Sequence, residues 1–282
     1  MKIIFVIILV LGILTGCSDD QYSAEKMLYY AAKASKKIYM SADAAAPFEY
    51  RAAVSAYERI VERFTNTAFE KTAQFKIGEL YLLKKEYDTA RRELGKLISR
   101  YPDDRDVIVK TKFAIAKTYE IEGRWDQALK EFEKIEQNYT DSIQAIQIPI
   151  YIAQYYQKQE EMKKAALAYQ QAIEKYENIA RDNQDTPKAY LANDLIAACL
   201  INQQRWEETV VQLKKIIESY PKIAGVLRSA AVLEQIYIQK LKQPQAVLDF
   251  YEKFISEHKD EDYELSKILR KRIEKIKEVT KT

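Results

Sequence analysis

Few residues in this chain have the types and spacing to do chemistry. His258 is the only histidine, and it sits in a polar stretch, Ser256-Glu257-His258-Lys259. A Ser–His–Asp device would have to use it and would lack a nucleophile elbow. No His/Cys cluster has metal spacing and no Gly-rich loop could cradle phosphate. Glu alternates with Lys as on solvated helix faces, so no carboxylate pair stands out. The sequence therefore predicts no catalytic residue, no metal site, no cofactor and no small-molecule substrate. Two cysteines remain. Cys199 lies among apolar residues (Ile196-Ala197-Ala198-Cys199-Leu200) and reads as a small buried side chain. Cys17 differs: it directly follows Leu14-Thr15-Gly16 at the end of an apolar run, Ile3 to Leu14. One positive charge, Lys2, precedes that run, which is short for a membrane span.

The rest of the chain is organised around Tyr119 to Tyr139. Ala116 and Tyr119 share one helix face, Gly123 makes a tight turn, and Trp125, Ala128, Phe132 and Ile135 recur at helical spacing on a second helix. The hairpin repeats. A small residue followed four later by a large one occurs at Ala53/Tyr57, Ala90/Leu94, Ala128/Phe132, Ala165/Tyr169, Thr209/Leu213 and Ala246/Phe250. Successive gaps are 37, 38, 37, 44 and 37 residues. Nine residues before the anchor stand Tyr81, Tyr119, Tyr156, Leu200 and Tyr237, and both tryptophans fall three before it, at Trp125 and Trp206.

This pattern resembles the tetratricopeptide repeat, usually about 34 residues long. Ile77-Gly78-Glu79-Leu80-Tyr81 matches the family's Leu-Gly-x-x-Tyr element, with Ala116, Ala153 and Ala197 replacing the glycine later. Tyr101-Pro102 and Tyr220-Pro221 match its closing Tyr-Pro. The resemblance covers most of residues 45–258. It implies an all-α, right-handed superhelical solenoid of about six helix hairpins with a C-terminal capping helix. It also implies that first helices line a groove for an extended peptide or a helix. By analogy of position Phe75, Glu79, Leu82, Phe113, Lys117, Ile150 and Gln154 face that groove. Phe75 and Glu79 stand where two groups of the carboxylate clamp of chaperone-binding members belong, so that clamp is not expected.

Leu14-Thr15-Gly16-Cys17 is similar to the bacterial lipobox. The resemblance implies cleavage before Cys17, diacylglycerol on its sulfur and acylation of the new amine. Two or more acyl chains hold a protein stably on a membrane, and Ser18 after the cysteine points to the periplasmic face of the outer membrane. The expected division is a signal peptide at 1–16, a lipidated tether at 17–23, the repeats at 24–258 and a capping helix at 259–282. Lipobox and repeats together resemble the BamD-like lipoproteins, which scaffold outer-membrane protein assembly. Two other envelope roles fit the same features: a pilotin for a secretin or pilus, and an adaptor of a cell-wall enzyme. In each the expected partner is an envelope protein.

Composition narrows the classes further. The chain holds 45 basic and 42 acidic residues; without the first sixteen, which contain Lys2 and no acid, 44 face 42. That is no nucleic-acid footprint. Only Gly78, Gly95, Gly123 and Gly225 then remain as glycines, as suits helices throughout. Thr67, Asp103 or Asp104, and Thr186 before Pro187 are expected helix caps. The 44-residue gap predicts a helix about two turns longer at Gln170 to Ala180.

Overall fold

The small-then-large pairs close a series of helix hairpins. The computed structural model describes the backbone of residues 2–259 and 264–280 and the side chains of residues 19–259 and 264–278. Among the described residues there are helices and turns and no strand. Two compact units divide the chain, Met1–Ala145 and Ile146–Thr282.

In the first unit α1 (Lys2–Met40) pairs with α2 (Pro47–Arg63), α3 (Ala68–Leu83) with α4 (Tyr87–Arg100), and α5 (Arg105–Ile121) with α6 (Trp125–Asn138). Each hairpin also packs on the next through α2 with α3 and α4 with α5. Ala53, Ala90 and Ala128 are fully buried, and Tyr57, Leu94 and Phe132 beside them nearly so. The small side chain lets the helices approach and the large one fills the gap, so the repeat period becomes a continuous core. Gly78 shows how close the approach is: a Cβ there would lie 2.6 Å from Leu94 Cγ.

Helix α1 departs from the expected tether at 17–23. It runs on through those residues, and Gln21 donates to Glu25 Oε1 at 3.0 Å one turn away. No Gly or Pro interrupts residues 17–23, and Ala24, next in line, is already buried. Farther along, Ser35 Oγ lies 3.3 Å from Tyr57 Oη, tying α1 to α2. The expected lipidation at Cys17 and the expected signal peptide concern side chains outside the described residues.

The second unit takes up the series within α7 (Ile143–Lys158), followed by α8 (Met162–Asp182), α9 (Pro187–Asn202), α10 (Trp206–Ser219), α11 (Val226–Gln235), α12 (Pro244–Glu257) and α13 (Glu264–Thr280). One apolar cluster joins α7, α8 and α9, and another joins α9 through α13. The extra seven residues of the long gap lie in α8, which has 21 residues where α4, α6, α10 and α12 have 14. Two helical turns return the same face inward, so Ala172, Ile173 and Tyr176 extend the buried stripe. Leu265, Leu269, Ile273 and Ile276 of α13 are buried and close the second cluster.

The caps explain where the helices begin. Thr67 accepts from Glu70 N–H at 3.2 Å, Asp104 from Val107 N–H at 3.1 Å and Thr186 from Ala189 N–H at 3.2 Å. Hairpin turns end their first helices alike. Glu86, Arg124, Glu161 and Arg205 donate their N–H to the carbonyls of Tyr81, Tyr119, Tyr156 and Leu200 at 2.8–3.0 Å. This six-to-one bond needs a left-handed residue just before the donor. Gly123 supplies it in one turn, with φ of 84°. Lys85, Glu160 and Gln204 adopt φ of 57–65° at the same place in theirs.

The last hairpin is shifted by one residue. Its second helix starts at Pro244, and its first is prolonged by a π-helical turn, Ile236–Lys240. The wider turn absorbs the extra residue, so Tyr237 stays buried at its repeat position while the left-handed residue becomes Lys242, φ 56°.

Candidate protein-binding groove

First helices carry the residues that the repeat pattern places toward a groove. In the first unit these lie on α3 and α5, reinforced by the end of α1. Phe75 is half-buried and forms one wall of a 340 Å³ cavity with Ala68, Thr72, Leu97 and Val107, rimmed by Lys71, Lys76 and Lys110. Lys71 is paired with Asp104 at 2.6 Å and lies over the Tyr101 ring at 4.5 Å. Lys76 is paired with Glu79 at 2.7 Å.

Glu79 is tied from two sides. Besides Lys76 it accepts the Tyr39 hydroxyl at 2.9 Å, and Lys76 lies 5.2 Å from the centre of the Tyr39 ring. Burial first, and then the negative charge of Glu79, raises the Tyr39 hydroxyl well above the ordinary phenol range. The sequence offers no local signal for Tyr39, since forty residues separate it from Glu79. Leu82 is half-buried near the end of α3. On α5, Lys117 pairs with Glu120 at 2.9 Å.

Two expected groove residues turn out to belong to the packing. Phe113 lies 5.3 Å from Phe132, the large residue of its own hairpin, and Trp125 lies 6.2 Å from that same ring. Phe113 is only half-buried and shares its area between core and surface. Ile150 is 7 % exposed and joins the apolar cluster of α7, α8 and α9. Its expected role as a contact residue is corrected on that ground: burial leaves a partner almost nothing to touch. Gln154, one turn later, is exposed.

The second unit holds polar ties of its own. Gln157 accepts from Tyr169 Oη at 2.6 Å and donates to the Asn202 carbonyl at 3.1 Å. Asp194 accepts a bond from Arg228. A further cavity, of about 310 Å³, opens between the end of α11, its π turn and α13. Its lining is Ile238, Ile268 and Ile276 with Glu234, Lys271, Arg272 and Lys275. Arg272 donates twice to Glu234, once at 2.8 Å, and the Tyr251 hydroxyl lies 3.0 Å from the same carboxylate.

Among the described residues no group of three or more His, Cys, Asp or Glu could hold a metal. His258 caps the end of α12, with Nδ1 2.8 Å from the Phe254 carbonyl and its ring stacked on Phe254 at 4.3 Å. Cys199 is fully buried, and desolvation pushes its thiol up to about 12. Among the described residues no helix is long and apolar enough to cross a membrane.

Two family profiles agree with the geometry. A profile of the tetratricopeptide repeat-like domain matches residues 1–184, and one of the tetratricopeptide repeat matches residues 192–222. No curated protein matches the chain. Among solved structures, BtubC (BKLC) from P. vanneervenii is 14 % identical, with 93 % of this chain and 92 % of that one covered and a TM-score of 0.39. The TPR2AB domain of yeast Sti1, solved in complex with pHSP90, is 16 % identical, with 91 % and 97 % covered and a TM-score of 0.34. The profile match spans well over half of the chain and coincides with hairpins whose repeat positions are buried as the family requires, so this protein, a protein-binding scaffold by its fold, belongs to the tetratricopeptide repeat-like family.

Proposed function

We propose that this chain is a lipid-anchored scaffold of the bacterial envelope that holds a protein partner along its first helices. The observation that carries the proposal is the Phe75 cavity between α3 and α5. It combines an apolar wall with lysines whose charges are already placed by Asp104 and Glu79. Apolar anchors bounded by fixed polar groups suit an extended peptide or a helix. The envelope address is supported by Leu14-Thr15-Gly16-Cys17 after its apolar run. It is supported also by Tyr22, Tyr29 and Tyr30, exposed on the part of α1 that follows Cys17. Tyrosines of that kind favour a membrane–water boundary. Within the envelope, Ser18 and the Tyr-Pro-closed repeats favour the periplasmic face of the outer membrane and a role in outer-membrane protein assembly, as in BamD-like lipoproteins.

The test is crosslinking of the lipidated protein in its native envelope, followed by mass spectrometry. A β-barrel assembly protein captured through residues around Phe75 supports the reading. A secretin or a cell-wall synthase in its place keeps the scaffold and removes the assembly role. Fractionation of Cys17→Ser tests the address separately: release from the membrane is expected, and unchanged lipid labelling refutes it.

A further inference from the structure

The slot between α11 and α13 has properties that the capping role of α13 does not explain. Capping needs an apolar inner face and a solvated back. Leu265, Leu269 and Ile273 provide the former. Lys271 and Lys275 instead stand one turn apart on the rim of the 310 Å³ slot. Like charges at that spacing repel one another. Neighbouring cations are satisfied: Arg272 by Glu234, and Lys277 by Glu252 at 2.8 Å. Among the described residues neither Lys271 nor Lys275 has a carboxylate or hydrogen-bond partner. Glu234 is the only acid in the lining, and Arg272 and Tyr251 already occupy it.

The floor of the slot is apolar. Ile276 is buried, and Ile238 and Ile268 are half-buried. Ile238 belongs to the π turn Ile236–Lys240, which keeps Tyr237 in the core and sets Ile238 against the slot. Turns of this type occur often at functional sites. A flat membrane surface is a poor match, because Glu264, Glu274 and Glu278 alternate with the lysines of α13.

We propose that this slot takes one large apolar side chain of an acidic peptide segment, whose flanking carboxylates bridge Lys271 and Lys275. The proposal rests on the protein-binding reading and adds to it a second contact point with a defined chemistry. The slot is large enough for a leucine, isoleucine or phenylalanine side chain, and both lysines are part of its lining.

The experiment is fluorescence anisotropy on the purified full chain with three pools of short labelled peptides. The first pool has Leu, Ile or Phe at its centre and Asp or Glu around it. The second replaces the centre with Ala, and the third replaces the acids with Lys. The first pool alone is expected to bind, and more weakly as salt rises. Reversal of both charges in Lys271→Glu/Lys275→Glu is expected to weaken binding about tenfold or more. Ile268→Ala is expected to weaken it as well. Circular dichroism checks α13, and Lys271→Gln and Lys275→Gln give the same reading should the double reversal disturb the helix. Equal binding of the Ala pool, affinity unchanged by the lysine variants, or no binding of the first pool overturns the proposal. So does lysine-dependent binding to phosphatidylglycerol vesicles without peptide binding, which reassigns the lysines to lipid. Failure here with capture through Phe75 intact removes only this slot, whereas loss of capture through Phe75 removes the scaffold reading itself.

Discussion

The hydroxyl of Tyr176 accepts the backbone N–H of Ile150 at 3.1 Å, across the α7–α8 hairpin and inside its core. Pro149 stands immediately before Ile150 within α7. A proline ring inside a helix disturbs the regular ladder around it, and a buried donor left over must find another acceptor. Tyr176 supplies such an acceptor from α8 to the N–H that follows Pro149. Tyr176→Phe should therefore cost about 1–3 kcal/mol, the penalty for one orphaned buried group. Urea unfolding measures it. Pro149→Ala, which lets α7 rebuild its own ladder, should recover most of that loss in the Tyr176→Phe background. Equal losses with and without the proline would break the link.

The left-handed turn residues make a second test. Lys85, Glu160, Gln204 and Lys242 hold a left-handed conformation that disfavours a Cβ, whereas Gly123 holds it with no Cβ to strain. Glycine at each of the four sites should raise stability by up to about 1 kcal/mol, the relief exceeding the glycine's own entropic cost. Gly123→Ala should lower it by a similar amount. Denaturant midpoints of the five single variants should therefore split by sign, and a uniform loss would contradict the turn assignment.

Close helix approach at Gly78 predicts a third outcome. An alanine methyl would press on Leu94 Cγ and Cδ2 at 2.6 and 2.7 Å, so Gly78→Ala should cost about 1–3 kcal/mol. Shortening the opposing side chain should relieve part of it. Gly78→Ala/Leu94→Ala should then lose less than the sum of the two single losses in thermal unfolding. Strict additivity would mean that the two positions do not touch.

Alkaline pH should unfold the protein before neutral chemistry does. Burial holds the Cys199 thiol up at about 12 from 9.0. Tyr101 is raised to about 12 by burial and its bond to Glu70, and Tyr169 to about 12 mainly by burial. In each case the folded state resists loss of a proton. Their contribution to stability is complete below the unfolded-state values and is lost as pH climbs toward the folded ones. The melting temperature should hold steady from about pH 7 to 8.5 and fall from about pH 9 upward. Cys199→Ala should fall less steeply, and thiol reagents should reach Cys199 only on unfolding. Rapid labelling of the folded chain near neutral pH would refute its burial.

The repeat itself was legible in the amino-acid order, because one small and one large residue per hairpin recur with a helical period. Ala53, Ala90, Ala128 and Ala165 therefore lie in the core with their large partners. Caps were legible for a local reason: Thr67, Asp104 and Thr186 bond a backbone N–H only three residues away. The lengthened α8 followed from counting residues against the helical turn. Side-chain allegiance at the edge of each face was not legible. Analogy with the family's positions places Phe113 and Ile150 beside the groove, but helix packing buries Ile150 and sets the tilted Phe113 ring 5.3 Å from that of Phe132. The left-handed turns at Lys85, Glu160, Gln204 and Lys242 carry no glycine to announce them; the bonds that end the helices impose them. Tyr39 reaching Glu79, Tyr176 taking the donor beside Pro149, and Lys271 and Lys275 beside the isoleucines of their slot all join distant elements. Such contacts depend on how the helices meet, so tertiary packing alone decided them.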